Sequence, residues 1–201
     1  LLVYRIKAYP GLVILLLAGV LLSSCGSTQA REAYERGLGL LEQGDSEAAL
    51  SAFDEAIESD PRLSAAYLER GELQLDAGNL ELALADFELA VEHDPKNPEA
   101  YANRGVVHAE VGEFDTALED FERALELDPE YARGYNNRGN AYRRMGNFAA
   151  ALSDFQRAIE LDPNYARAYN NRANLYREFG EPFLALEDYG KALEIDDQYA
   201  L

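Results

Sequence analysis

The feature that most constrains this chain is a period of 34 residues that runs without an insertion. The phrase YNNRGNAYRRMGNF begins at Tyr135 and returns as YNNRANLYREFGEP at Tyr169, with looser copies at Ala33, Tyr67 and Tyr101. In register, five copies occupy residues 30–63, 64–97, 98–131, 132–165 and 166–199. A unit of this size cannot bury its apolar face by itself, so it has to stack on its neighbours. The period therefore overrides any domain count drawn from the length of 201 residues.

Within the fourth copy, Tyr135, Gly139 and Tyr142 follow at i, i+4, i+7, Gly146-Asn147 break the pattern, and Ala151, Phe155 and Ala158 repeat i, i+4, i+7. This predicts two amphipathic helices joined by a short turn. Asp162-Pro163 ends the second helix, because proline cannot continue it and the residue before proline avoids helical dihedrals. The same stop stands at Asp60-Pro61, Asp94-Pro95 and Asp128-Pro129. Gly139, Ala151 and Ala158 let two backbones come close, and Phe155 fills the space toward the next pair, with Phe53, Phe87, Phe121 and Tyr189 in the same role.

A 34-residue unit with Tyr, Gly, Tyr, then Ala, aromatic, Ala, then Pro resembles the tetratricopeptide repeat, and the resemblance covers nearly all of residues 30–199. It implies an all-α fold, a right-handed superhelical solenoid of five helix-turn-helix repeats whose first helices line a concave groove. The last copy departs from the pattern: Ala173 replaces the glycine, Pro182 opens the second helix, and Asp197 stands where proline is expected. With no room for a covering helix, Leu186, Tyr189, Leu193 and Ile195 are expected to be partly bare, and this end to be covered by a second copy or a partner.

The seventh position of each repeat, usually apolar in this family, is Arg36, Arg70, Arg104, Arg138 and Arg172. Four repeats carry an acid sixteen residues later, Asp86, Asp120, Asp154 and Asp188, with Ala52 the exception. Ion pairs that stitch the helices together account for this pattern better than an arginine ladder for an anionic ligand.

By family analogy the second, fifth, ninth and twelfth positions point into the groove. In the first two repeats these include Tyr34, Leu38, Leu41, Leu68, Glu72 and Leu75, mostly apolar; in the last two they are Arg133, Asn136, Asn140 and Arg143, then Arg167, Asn170, Asn174 and Arg177. Asn both donates and accepts, and Arg grips carboxylates in a fork, so this half is expected to hold an extended or acidic segment of a protein partner. A family variant that clamps a terminal carboxylate matches only at Asn137 and Arg167, with Ala102 and Val106 in the first two clamp positions.

Net charge is −19 overall, yet residues 132–165 carry +2 and residues 98–131 carry −8. A body this acidic repels nucleic acid and anionic headgroups. At the other end, Arg5 and Lys7 precede an apolar run from Gly11 to Leu22 and the small-residue exit Leu22-Ser23-Ser24-Cys25, which describes a secretory signal. The run is too short to span a bilayer, which needs about 20 helical residues. It resembles a bacterial lipoprotein signal over residues 1–24, which implies cleavage before Cys25, acylation of that residue, and stable anchoring through two or three chains. Cys25 is the only cysteine in the chain. Gly26 after it implies the outer membrane, and residues 25–29 read as the lipidated Cys and a short tether.

Catalysis is not expected. His93 and His108 lack a metal-ligand spacing, and the sequence holds no phosphate loop or nucleophile elbow, so no cofactor or metal is predicted. The expectation is a non-catalytic scaffold or adaptor, lipid-anchored in the bacterial envelope and facing the periplasm, that aids assembly of pilus, secretion or cell-wall machinery. The alternative is a self-associating structural lipoprotein with no peptide client.

Overall fold

The computed structural model describes residues 28–196. The leader, Cys25 with Gly26 and Ser27, and Asp197 lie outside the described residues. Among the described residues ten helices follow one another: α1 (28–42), α2 (Ser46–Ser59), α3 (Ser64–Asp76), α4 (Leu80–His93), α5 (Pro98–Glu110), α6 (Phe114–Leu127), α7 (Ala132–Arg144), α8 (Phe148–Leu161), α9 (Ala166–Glu178) and α10 (Pro182–Ile195). No strand occurs among the described residues. Thr28 and Gln29, expected in the tether, are helical and belong to α1.

Each turn inside a repeat closes on a left-handed glycine, such as Gly146 at φ 78°, a conformation that costs other residues a clash of Cβ with the backbone. Asn147 then caps α8 by accepting from the Ala150 amide. At the far end Asp162 leaves the helix with extended backbone, its own amide still donating to the Ala158 carbonyl, and Pro163 follows. Sequence expectation and structure agree at this stop and at its copies at Asp60, Asp94 and Asp128.

Packing inside a repeat depends on a missing side chain. A Cβ on Gly139 would lie 2.7 Å from Cε1 of Phe155, and one on Gly71 2.7 Å from the same atom of Phe87. Phe53, Phe87, Phe121 and Phe155 are fully buried at this crossing. Between repeats, the second helix of one unit packs on the first helix of the next, as Ala158 and Ile159 of α8 do against Ala168 and Tyr169 of α9. First helices also touch in sequence, α3 to α5 to α7 to α9, and these form the inner wall.

The arginine at the seventh position is a structural lock in repeats two to five. Arg138 donates from Nε and Nη2 to the two carboxylate oxygens of Asp154, each at 2.8 Å. Arg70–Asp86, Arg104–Asp120 and Arg172–Asp188 repeat the fork, and all four aspartates are buried. Each guanidinium also lies over the tyrosine three residues before it, Tyr67, Tyr101, Tyr135 or Tyr169, at 5.5 to 5.7 Å. Repeat one has neither partner: Ala33 replaces the tyrosine, Ala52 replaces the acid, and Arg36 turns to the exposed Glu55.

Candidate functional site

The curved inner wall holds two adjoining cavities. The larger, about 540 Å³, lies between repeats two and five and is lined by Glu72, Leu75, Val106, Arg133, Asn137 and Arg167 among others, with Ile195 closing its far side. The smaller, about 300 Å³, shares Val106, Asn137 and Arg167 and continues toward Asn140, Arg143 and Arg144. The helices fix these side chains at successive turns of α3, α5, α7 and α9, so the groove geometry follows from the stack itself.

The larger cavity leans acidic. Asn103, buried on α5, donates to Glu72 at 2.6 Å, and Tyr34 donates to Glu69 at 3.4 Å. Burial raises the pKa of Glu72, with the Asn103 hydrogen bond opposing and Glu99 adding to the rise; burial likewise raises Glu69, which Glu72 reinforces. Burial also pushes the Tyr34 hydroxyl up to about 12. Arg133 reaches back across one repeat to Glu99 at 2.8 Å and stands 3.9 Å from Glu72. The Tyr131 hydroxyl beside this cluster is buried without a hydrogen-bond partner among the described residues, and burial raises its pKa.

The smaller cavity leans basic, with Arg143, Arg144 and Arg167 against Glu110. Arg143 holds Glu178 at 2.8 Å and Arg144 holds Glu110 at 3.1 Å, both pairs in partial contact with solvent. Exposed pairs of this kind exchange partners at little cost, about 0–1 kcal/mol. An incoming carboxylate can therefore displace Glu178 or Glu110 from its arginine.

Four of the eight residues expected in the groove line these cavities: Arg133, Asn140, Arg143 and Arg167. Asn136 does not, and the expectation for it is corrected: it is 0% exposed, packed between α7 and α9, and accepts from Asn171 Nδ2 at 2.8 Å. Asn174 is half-buried and accepts from the Tyr189 hydroxyl at 2.7 Å. Asn170 is half-buried and Arg177 is exposed, and neither lines the two cavities. Arg133, like Arg143 and Arg144, already holds an acid in a solvent-contacting pair, here Glu99.

Sequence reasoning left the sixth position out of the groove set, where Asn103 and Asn137 line the cavity, and noted Asn137 only as a match to the carboxylate clamp. Its signal was the doubled asparagine at Asn136-Asn137, of which one faces the neighbouring helix and the other the cavity. His108 is drawn into the scaffold, with Nδ1 2.8 Å from Glu113 and Nε2 4.0 Å from Asp120. Among the described residues no group of His, Cys, Asp or Glu is placed to hold a metal ion, and no helix is long and apolar enough to cross a membrane.

Family profiles described as tetratricopeptide repeat match residues 34–98, 98–131, 132–165 and 155–194. Among solved structures the chain is similar to MamA, at 27% identity over 82% of this chain and 96% of MamA, with a TM-score of 0.63. It is similar to YrrB, described as a TPR protein with an unusual peptide-binding site, at 26% identity over 82% and 85% with a TM-score of 0.57. It is also similar to PilF of Pseudomonas aeruginosa, at 25% identity over 85% and 78% with a TM-score of 0.72. No curated protein sequence matches the chain.

Proposed function

Because the chain belongs to the tetratricopeptide-repeat family, we propose that it is a non-catalytic scaffold that holds an extended segment of another protein along its inner wall. The segment lies across both cavities, and an acidic group on it enters the smaller one at Asn140, Arg143 and Arg144. The observation that carries this is the continuity of the two cavities through Val106, Asn137 and Arg167, which gives one path with opposite charge at its two ends. The peptide-binding site named for YrrB supports the same use of the fold.

The leader supports the place of action. Arg5, Lys7, the apolar run to Leu22 and the exit ending in Cys25 fit a lipidated protein of the bacterial envelope, held at the outer membrane and facing the periplasm. There the scaffold serves as an adaptor that keeps a client segment close to the membrane while an envelope assembly of the pilus, secretion or cell-wall class is built.

Photo-crosslinking from a reactive residue at Asn140, with the same residue at the exposed Glu122 as reference, tests the groove. The expected result is a protein captured only from position 140, through a segment rich in Asp or Glu. Equal capture from both positions, or none from either, removes the groove reading. Mass spectrometry of Cys25 from membranes tests the anchor separately, with a free thiol on an uncleaved leader as the contrary result.

A further inference from the structure

Helix α10 carries an apolar strip that no described element covers. Phe183 is 86% exposed, Leu186 67% and Leu193 39%. With Gly190 they fall at i, i+3, i+7 and i+10, within one quarter of the helix circumference. The counterparts of the two leucines in α8, Leu152 and Ile159, pack on the cores shared with α9.

Two residues in the strip are unlike their counterparts elsewhere. Phe183 occupies a place held by Glu47, Glu81, Asp115 and Ala149, and Gly190 one held by Asp54, Glu88, Glu122 and Gln156. All of these but Phe183 and Gly190 sit in repeats whose second helix is followed by another repeat, and all are exposed there, so burial against a following repeat does not explain the change. Nor does packing within the unit: a Cβ added to Gly190 meets nothing within 4 Å. A glycine inside a helix weakens it, and where no neighbour requires the space it permits close approach from outside.

The other end of the array does not complement this strip. Where Ala66, Ala100, Gly134 and Ala168 are buried against the preceding helix, α1 has the exposed Glu32; where Val107, Ala141 and Leu175 are buried, it has Gly39. A head-to-tail contact would bury Glu32 against leucine without a partner.

We infer that α10 is an isologous docking helix, which pairs antiparallel with α10 of a second copy and crosses it at Gly190. The two leucines are nearly symmetric about that glycine, with Leu186 four residues before it and Leu193 three after, and Phe183 lies one turn further out. An antiparallel crossing there sets Leu186 against the partner copy's Leu193 and Leu193 against its Leu186, which is what a two-fold contact requires. The face is small, at the low end of interface sizes, below about 1,200 Å² in total, so the dimer is reversible. Both copies are acidic overall, with Glu187 and the Lys191–Glu194 pair beside the strip, and added salt tightens the contact by screening the net repulsion. This inference does not rest on the groove: the strip lies on the last helix pair and leaves both cavities open.

Sedimentation of the full chain in density-matched detergent tests it. The expected result is a monomer–dimer equilibrium that strengthens with salt. Gly190→Gln supplies the residue found at this place in α8; it should raise the thermal midpoint and yet weaken the dimer at least tenfold. Leu186→Glu and Leu193→Lys should each abolish the dimer alone, and mixing the two variants should restore it, because one Glu then faces one Lys across the axis. A chain that stays monomeric at tens of micromolar, an open-ended series of oligomers, or a mixture that fails to reassociate while each variant keeps its helicity overturns the inference.

Discussion

Repeat two and repeat four share an interior and differ in the surface they present to the groove. In both, a glycine admits a buried phenylalanine, Gly71 with Phe87 and Gly139 with Phe155, and in both a buried aspartate is forked by the arginine sixteen residues earlier. Toward the groove, repeat two offers Glu72 and Leu75 where repeat four offers Asn140 and Arg143. The net charge of the two units, −6 and +2, follows from such surface positions. The lock and the crossing are set by the stack, and the wall is left free to be written for a partner.

The strongest way to break that comparison is to damage the shared interior in each unit in turn. Asp154→Ala leaves the half-buried Arg138 guanidinium without its acid and should cost about 3–5 kcal/mol, whereas after Asp86→Ala Arg70 still holds Asp54 at 2.6 Å and the loss should be smaller. A larger loss at repeat four than at repeat two in chemical denaturation bears out the lock and its second acid in repeat two; the reverse order would show that the fork is not what holds the two interiors. Arg143→Ala combined with Arg144→Ala should act the other way, leaving the denaturation midpoint nearly unchanged. It should weaken an acidic segment captured at Asn140 by roughly tenfold or more, since hydrogen bonds to charged groups contribute about 1.5–3 kcal/mol each. Calorimetric titration with the captured peptide reads that difference.

Repeat one marks the limit of the shared interior. Arg36 meets only the exposed Glu55, with no tyrosine beneath it, so Arg36→Ala should cost about 1 kcal/mol or less by thermal denaturation. A loss as large as that of Asp154→Ala would mean that the first unit is locked by some other contact.

The interior was legible in the sequence because it repeats: the glycine, the aromatic, the proline stop and the Arg–Asp spacing recur at one interval, and Ala52 already flagged the repeat that lacks the lock. The groove was half legible. Asn136 and Asn137 are about 100° apart on one helix, and which of them faces the concavity depends on how far each repeat is rotated from the last. A period in the sequence does not carry that rotation. The ion pair of Arg133 was not legible for a related reason, because its acid, Glu99, comes from the neighbouring unit, and counting charge within one repeat leaves the pair unseen.

The smallest effect concerns the proton on the acidic wall. Burial raises the pKa of Glu72 and Glu69 in the folded chain above the ordinary carboxylate value they hold when unfolded. The folded state therefore takes up a proton at higher pH than the unfolded one. The stability linked to these groups is complete below the ordinary glutamate range and is lost as pH rises through their raised values. Thermal midpoints should gain modestly from these groups as pH is lowered from neutrality toward about 5. Glu72→Gln keeps an oxygen for Asn103 Nδ2, leaves Arg133 with Glu99, and removes the titration. It should raise the midpoint at neutral pH and reduce the pH-dependent gain, while the repeat-four counterpart Asn140→Ala should leave that gain as it was. If Glu72→Gln leaves the profile untouched, the proton binds elsewhere, and the contrast between an acidic wall on repeat two and a basic one on repeat four loses its energetic content.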